Sequence, residues 1–152
     1  MNKLLPVTVA LLAMASCSRP PQLPQEPHIT GYELNKTEVT AFKDTLIVRI
    51  DYEDGDGDIG PMGGDVTDNA FLIDSRTNFP FGFTIPELNT TGVPQAISGS
   101  VWFKFSPNVV VCSPVPPGRL RDTFNFEIHI MDKKGNESNR IVTDDVIVLC
   151  NP

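Results

Sequence analysis

The chain has 152 residues, with 19 acidic against 12 basic, a net charge of −7 and 40% hydrophobic residues. That length suits one domain with a real core. The acidic balance argues against nucleic acid, which requires a basic face, and against direct electrostatic docking on anionic lipid.

Met1-Asn2-Lys3 is a short basic start, and Leu4 to Met14 is an apolar run broken only by Pro6 and Thr8. Residues 1–16 therefore read as a secretory signal peptide, too short in its apolar part for a spanning helix. Cys17, directly after Met14-Ala15-Ser16, resembles the lipobox of bacterial lipoproteins. In that family the signal is cut before the Cys, which then carries the lipid. Ordinary secretion with cleavage near Ala15 is the plainer alternative. Membrane contact is thus expected through acyl chains on Cys17, at ~0.8 kcal/mol per buried CH2. Residues 17–27 form a tether, in which Pro20, Pro21, Pro24 and Pro27 favour an extended spacer.

From residue 28 onward the periodicity is two almost everywhere. Strands are expected at 28–34, 45–53, 69–75, 97–105, 123–131 and 141–149. In the second, Leu46, Val48, Ile50 and Tyr52 form an apolar face. Val101, Phe103 and Phe105 do so in the fourth, and Phe124, Phe126, Ile128 and Ile130 in the fifth. Pro/Gly clusters at 60–64, 80–86, 92–94 and 114–118 read as punctuation. About seven short strands with one apolar face each predict an all-β, immunoglobulin-like antiparallel sandwich over residues 28–152.

Seven acids (Asp51, Glu53, Asp54, Asp56, Asp58, Asp65 and Asp68) fall within residues 51–68, without Lys or Arg among them. Asp54, Asp56 and Asp58 alternate with glycines directly after a strand. Such crowding is unfavourable unless compensated, and an all-oxygen donor set without Cys or His selects calcium. Counted as an EF-hand, Asp54, Asp56, Asp58 and Asp65 take positions one, three, five and twelve. Gly60 is misplaced and neither flank looks helical, so this is some other calcium loop. In an immunoglobulin-like sandwich the hairpin around 132–138 falls at the same end, so Asp132 and Asn136 are expected to complete the oxygen shell. Alternatively the first stretch is a solvated acidic turn and the second an ordinary polar hairpin.

Asp54-Gly-Asp-Gly-Asp-Ile-Gly60, Ile85-Pro86-Glu87-Leu88, Ile97-Ser98-Gly99 and Asp132-Lys-Lys-Gly-Asn136-Glu-Ser138-Asn139 together resemble a family of small, largely uncharacterised bacterial lipoproteins. The resemblance covers roughly residues 28–150. It implies an envelope location, an immunoglobulin-like fold and a cation site, but no enzyme activity. Cys112 and Cys150 are not signatures of that family.

With Cys17 assigned to lipid, Cys112 and Cys150 are free to form one disulfide in an oxidising compartment; two separate buried thiols are the alternative. His28 and His129 stand in no metal-binding spacing, and no nucleophile elbow, phosphate loop or dinucleotide fingerprint is present. The Asn-x-Ser/Thr matches at Asn35, Asn89 and Asn136 carry little weight behind a bacterial-type leader. Trp102, on the polar face of its strand, and Phe79, Phe81 and Phe83 are the remaining hints of ligand binding. They would stack on a glycan or anchor a protein, or else pack under a loop and plug a sheet edge. The expected function is a non-catalytic, lipid-anchored binding or structural module of the bacterial envelope, at the outer membrane, with a calcium-stabilised loop. The alternative is a glycoside-type envelope hydrolase using the acidic loop.

Overall fold

The computed structural model describes residues 23–61, 67–112 and 120–150, and among these it is all-β, with no helix. The signal peptide, Cys17, most of the tether, Asp65 and the Pro/Gly cluster at 114–118 lie outside the described residues. The strands are β1 (His28–Leu34), β2 (Glu38–Thr40), β3 (Leu46–Asp54), β4 (Ala70–Asp74), β5 (Phe79–Phe83), β6 (Ile97–Phe105), β7 (Arg121–Phe124), β8 (Phe126–Ile130), β9 (Ile141–Val142) and β10 (Val146–Leu149). They form three sheets, ordered β1-β3-β6, β2-β10-β7 and β5-β4-β8-β9. Every pairing within them is antiparallel except β2 with β10.

The alternation read from the sequence is what builds the core. Leu46, Val48, Ile50 and Tyr52 are buried along β3, and Phe124, Phe126, Ile128 and Ile130 along β7 and β8. Each fully buried side chain of this size contributes roughly 1.5–3 kcal/mol of transfer free energy. Aromatic rings join the first sheet to the third. Phe103 and Phe105 of β6 meet Phe83 of β5 at 4.9 and 5.4 Å between ring centres, and Phe105 stacks on Phe126 at 4.8 Å. This arrangement is consistent with a β-sandwich.

Three expectations change. The strand read over 123–131 is interrupted at Asn125, and the one over 141–149 at 143–145. At both breaks the chain passes from one sheet to another, since β7 and β10 share the second sheet while β8 and β9 belong to the third. Side chains fasten the crossing: Phe126 N–H donates to Thr143 Oγ1 at 3.0 Å, and Asn125 Nδ2 to Asp145 Oδ1 at 2.9 Å. The third change is in the cluster at 80–86, read as punctuation, whose first part belongs to β5 (Phe79–Phe83). Pro80 is tolerated there because β5 is an edge strand, with one side free of ladder bonds.

The chain enters the domain against the acidic loop. Gly55 N–H donates to the Pro24 carbonyl at 2.8 Å, and a side-chain carbon on Gly55 would lie 2.2 Å from that oxygen. Only glycine permits this approach.

Candidate metal centre

The period of β3 that buries Leu46, Val48, Ile50 and Tyr52 also turns Asp54 inward, and its residue is 0% exposed. A strand of apolar residues thus ends on a carboxylate aimed into the end of the sandwich. The loop then curls back over it. Asp54 Oδ2 accepts from the Asp58 N–H at 2.9 Å, and Gly57 takes φ 71°, a left-handed conformation that a larger residue would strain. A Cβ on Gly57 would also lie 2.2 Å from the Gln95 carbonyl, while Gln95 N–H donates to the Asp56 carbonyl at 3.1 Å. Ile59 then enters the core and closes the curl.

One carboxylate oxygen from each of Asp54, Asp56 and Asp58 lies within 4.8 Å of the others, a spacing that can hold a metal ion. Asp56 is buried like Asp54, and the Asp58 side chain is 21% exposed. Each carboxylate commits one oxygen to the surrounding structure. Asp54 Oδ2 holds the loop, and the Oδ2 atoms of Asp56 and Asp58 accept from Lys134 Nζ, the latter at 3.1 Å. The Oδ1 atoms of all three are buried without a hydrogen-bond partner. Buried unpaired carboxylate oxygens are costly and rare.

The electrostatics follow. Burial, with the charges of Asp56 and Asp58 added, pushes Asp54 up from 3.8 to about 6. Burial likewise raises Asp58, with Asp132 and Asp56 adding to it. The Lys134 hydrogen bond holds Asp56 below the usual carboxylate range. The pairing with Asp56 and Asp58 raises Lys134. One ammonium faces three carboxylates, so the loop keeps a deficit of positive charge.

The two predicted loops do meet. Lys133 N–H donates to the Asp58 carbonyl at 3.2 Å, and Lys133 Nζ pairs with Glu87. Asp132 is buried close enough to raise Asp58, but its own oxygens serve the hairpin. Asp132 Oδ1 accepts from the N–H groups of Lys134 and Asn136 at 2.9 and 2.8 Å, and Oδ2 from Asn136 Nδ2 at 2.7 Å. Asn136 thus turns its amide onto Asp132. Gly135, at φ 86°, completes the turn.

The rest of the late motif is structural. Ser138 Oγ accepts from Ile130 N–H at 3.0 Å. Asn139 binds both backbone groups of Ile29, at 2.7 and 3.1 Å, beside the bulge in β1. His129 is on the outward face, as expected, but is covered there by stacking on Phe71 at 5.1 Å. A hollow of about 210 Å³ opens beside the triad, between Asp56, Asp58, Glu87, Asn89 and the two lysines.

Sequence reasoning missed Lys134 as a partner of the triad. The signal was present, two basic residues in the very hairpin assigned to the site. It also missed Arg76, discussed below. No family model, curated protein or solved structure matches the chain.

Proposed function

We propose that the chain is a non-catalytic, lipid-anchored module of the bacterial envelope, attached through Cys17 at the outer membrane. We read its sandwich as immunoglobulin-like, with one end stapled by calcium. The observation that carries the calcium reading is the set of three buried Oδ1 atoms of Asp54, Asp56 and Asp58, each without a partner. Hard oxygen donors at this spacing fit calcium, whose ligands stand at about 2.3–2.6 Å. Asp132 supplies a fourth negative charge from the hairpin, and Asn136 holds it in position. Water and loop carbonyls would fill the remaining positions.

The hydrolase alternative fits less well. Asp54 is sealed from solvent, so it cannot meet a substrate as acid or base. The family of small lipoproteins that the motifs resemble agrees with a location and a cation site rather than a reaction.

A ligand that binds only the folded state stabilises it by RT ln(1 + [L]/Kd), about 2.7 kcal/mol at a hundredfold excess. Calcium should therefore raise Tm in the chelator-stripped protein, and Asp56→Asn should blunt the rise. No shift at millimolar calcium would leave an ion-paired acidic turn.

A further inference from the structure

The outward face of the β1-β3-β6 sheet carries a second set of polar groups, none of them in the Asp54-Asp56-Asp58 triad. Glu33, Arg49 and Trp102 stand side by side in one row across the three strands, because Glu33 pairs with Arg49 and Arg49 with Trp102. Trp102 is 62% exposed, so no loop among the described residues covers it. Its polar neighbours are held in place. Arg49 Nη1 reaches Glu33 at 3.0 Å, Arg49 Nη2 donates to Asp51 Oδ2 at 2.8 Å, and Ser100 Oγ donates to Asp51 Oδ1 at 2.5 Å. Trp102, Arg49, Glu33, Asn35 and Ile47 line a shallow hollow of about 190 Å³.

The chemistry of this face selects its occupant. A protein partner would need an apolar interface core of several hundred Å², yet Trp102 is surrounded by charged and polar groups with Ile47 alone among aliphatic residues. A lipid surface or polyanion would need a basic field, whereas Arg49 is neutralised by Glu33 and Asp51. A flat aromatic platform beside pre-ordered carboxylate and guanidinium groups matches a sugar ring, which stacks through its C–H face and exchanges hydrogen bonds through its hydroxyls. We propose that this hollow is a subsite for an uncharged glycan, one pyranose stacking on Trp102 with its hydroxyls on Glu33 and Arg49. The site does not depend on the calcium reading.

Trp102 is the sole tryptophan of the chain, so its fluorescence reports this face alone. The full-length protein, kept in a detergent without sugar headgroups, is titrated with hexasaccharides of glucose, mannose and N-acetylglucosamine. A galacturonate hexamer and anionic phospholipid vesicles serve as comparators. At least one neutral hexamer should give a saturable blue shift and protect the indole from acrylamide quenching. Glu33→Gln should weaken that response at least fivefold with Tm unchanged. By calorimetry, Trp102→Ala should abolish binding without altering Tm, because the ring packs against little. No response to any neutral hexamer overturns the proposal. So does an equal response to the galacturonate hexamer or to vesicles, or a Glu33→Gln variant that binds as tightly as the parent.

Discussion

Asp54 is the residue on which the candidate centre turns, because strand parity buries it while the loop supplies only part of its hydrogen bonding. Its folded-state pKa of about 6 exceeds its ordinary 3.8, so between roughly pH 4 and 6 the folded chain holds a proton that the unfolded chain has released. In calcium-free protein, stability from this group therefore declines as pH rises through that window. Calcium must displace the same proton. Its affinity should climb from pH 5 to about 6.5 and level off above, with proton release detectable by calorimetry in buffers of different ionisation enthalpy; a pH-independent affinity would contradict the assignment. Lys134 acts in the opposite sense. Its ammonium already sits on Asp56 and Asp58, at the end of a side chain that is 58% exposed. Lys134→Ala should tighten calcium about tenfold, allowing for solvent screening of an exposed charge, while lowering the Tm of the calcium-free protein. Weaker calcium binding in that variant would instead make Lys134 a positioning residue.

Among the elements, β4 ends in a buried ionic knot. The Arg76 guanidinium donates to Asp74 at 2.6 Å and Asp122 at 2.9 Å, to the Val111 carbonyl at 2.9 Å, and lies 4.2 Å over the Phe124 ring. It joins the third sheet to β7 of the second and to the segment before Cys112. Arg76→Ala would take the shared guanidinium away from two buried carboxylates and should cost about 3 kcal/mol in urea unfolding, whereas Arg76→Lys should cost less. A loss below 1 kcal/mol would mean that water replaces the guanidinium. Nothing in the sequence marks Arg76, whose partners beyond Asp74 come from β7 and from the segment before Cys112. The long strands were legible because an apolar face at period two has only one way to be buried. The same parity, carried one residue past the strand read over 45–53, buries Asp54, which by sequence reads as part of the loop. Strand β5 was not legible, since Phe79-Pro-Phe-Gly-Phe83 carries both breakers, and only its edge position reconciles them with a ladder. Asn125 was invisible for a related reason: the apolar alternation Phe124, Phe126, Ile128, Ile130 continues unbroken while the chain changes sheets, whereas Thr143-Asp144-Asp145 does interrupt its strand pattern.

At the scale of the whole molecule, a covalent tie adds to the ionic ones. The Cys112 and Cys150 sulfurs stand at disulfide distance, with Cα atoms 5.7 Å apart, which closes a loop of 38 residues of separation around β7 to β10. That cross-link suits the exported location proposed above. Cys17→Ser should move the protein from the membrane to the soluble fraction on cell fractionation; unchanged partitioning would remove the lipid anchor from the proposal. The sandwich could be argued from periodicity, but the closeness of the acidic loop and the late hairpin rested on an assumed fold. The bond from Lys133 to Asp58 gives that closeness a physical basis.

The stitch between the Pro24 carbonyl and Gly55 N–H has a mechanical consequence. In a chain pulled by its N-terminal tether, load reaches the domain first at this bond, beside Asp54 and Asp56, before it reaches β1. Strand β1 takes up the load next, through its rungs to β3 from His28–Glu53 to Leu34–Val48. A cation gripping the loop would act as a clamp at the point of traction, and its occupancy would set how much pull the domain withstands there.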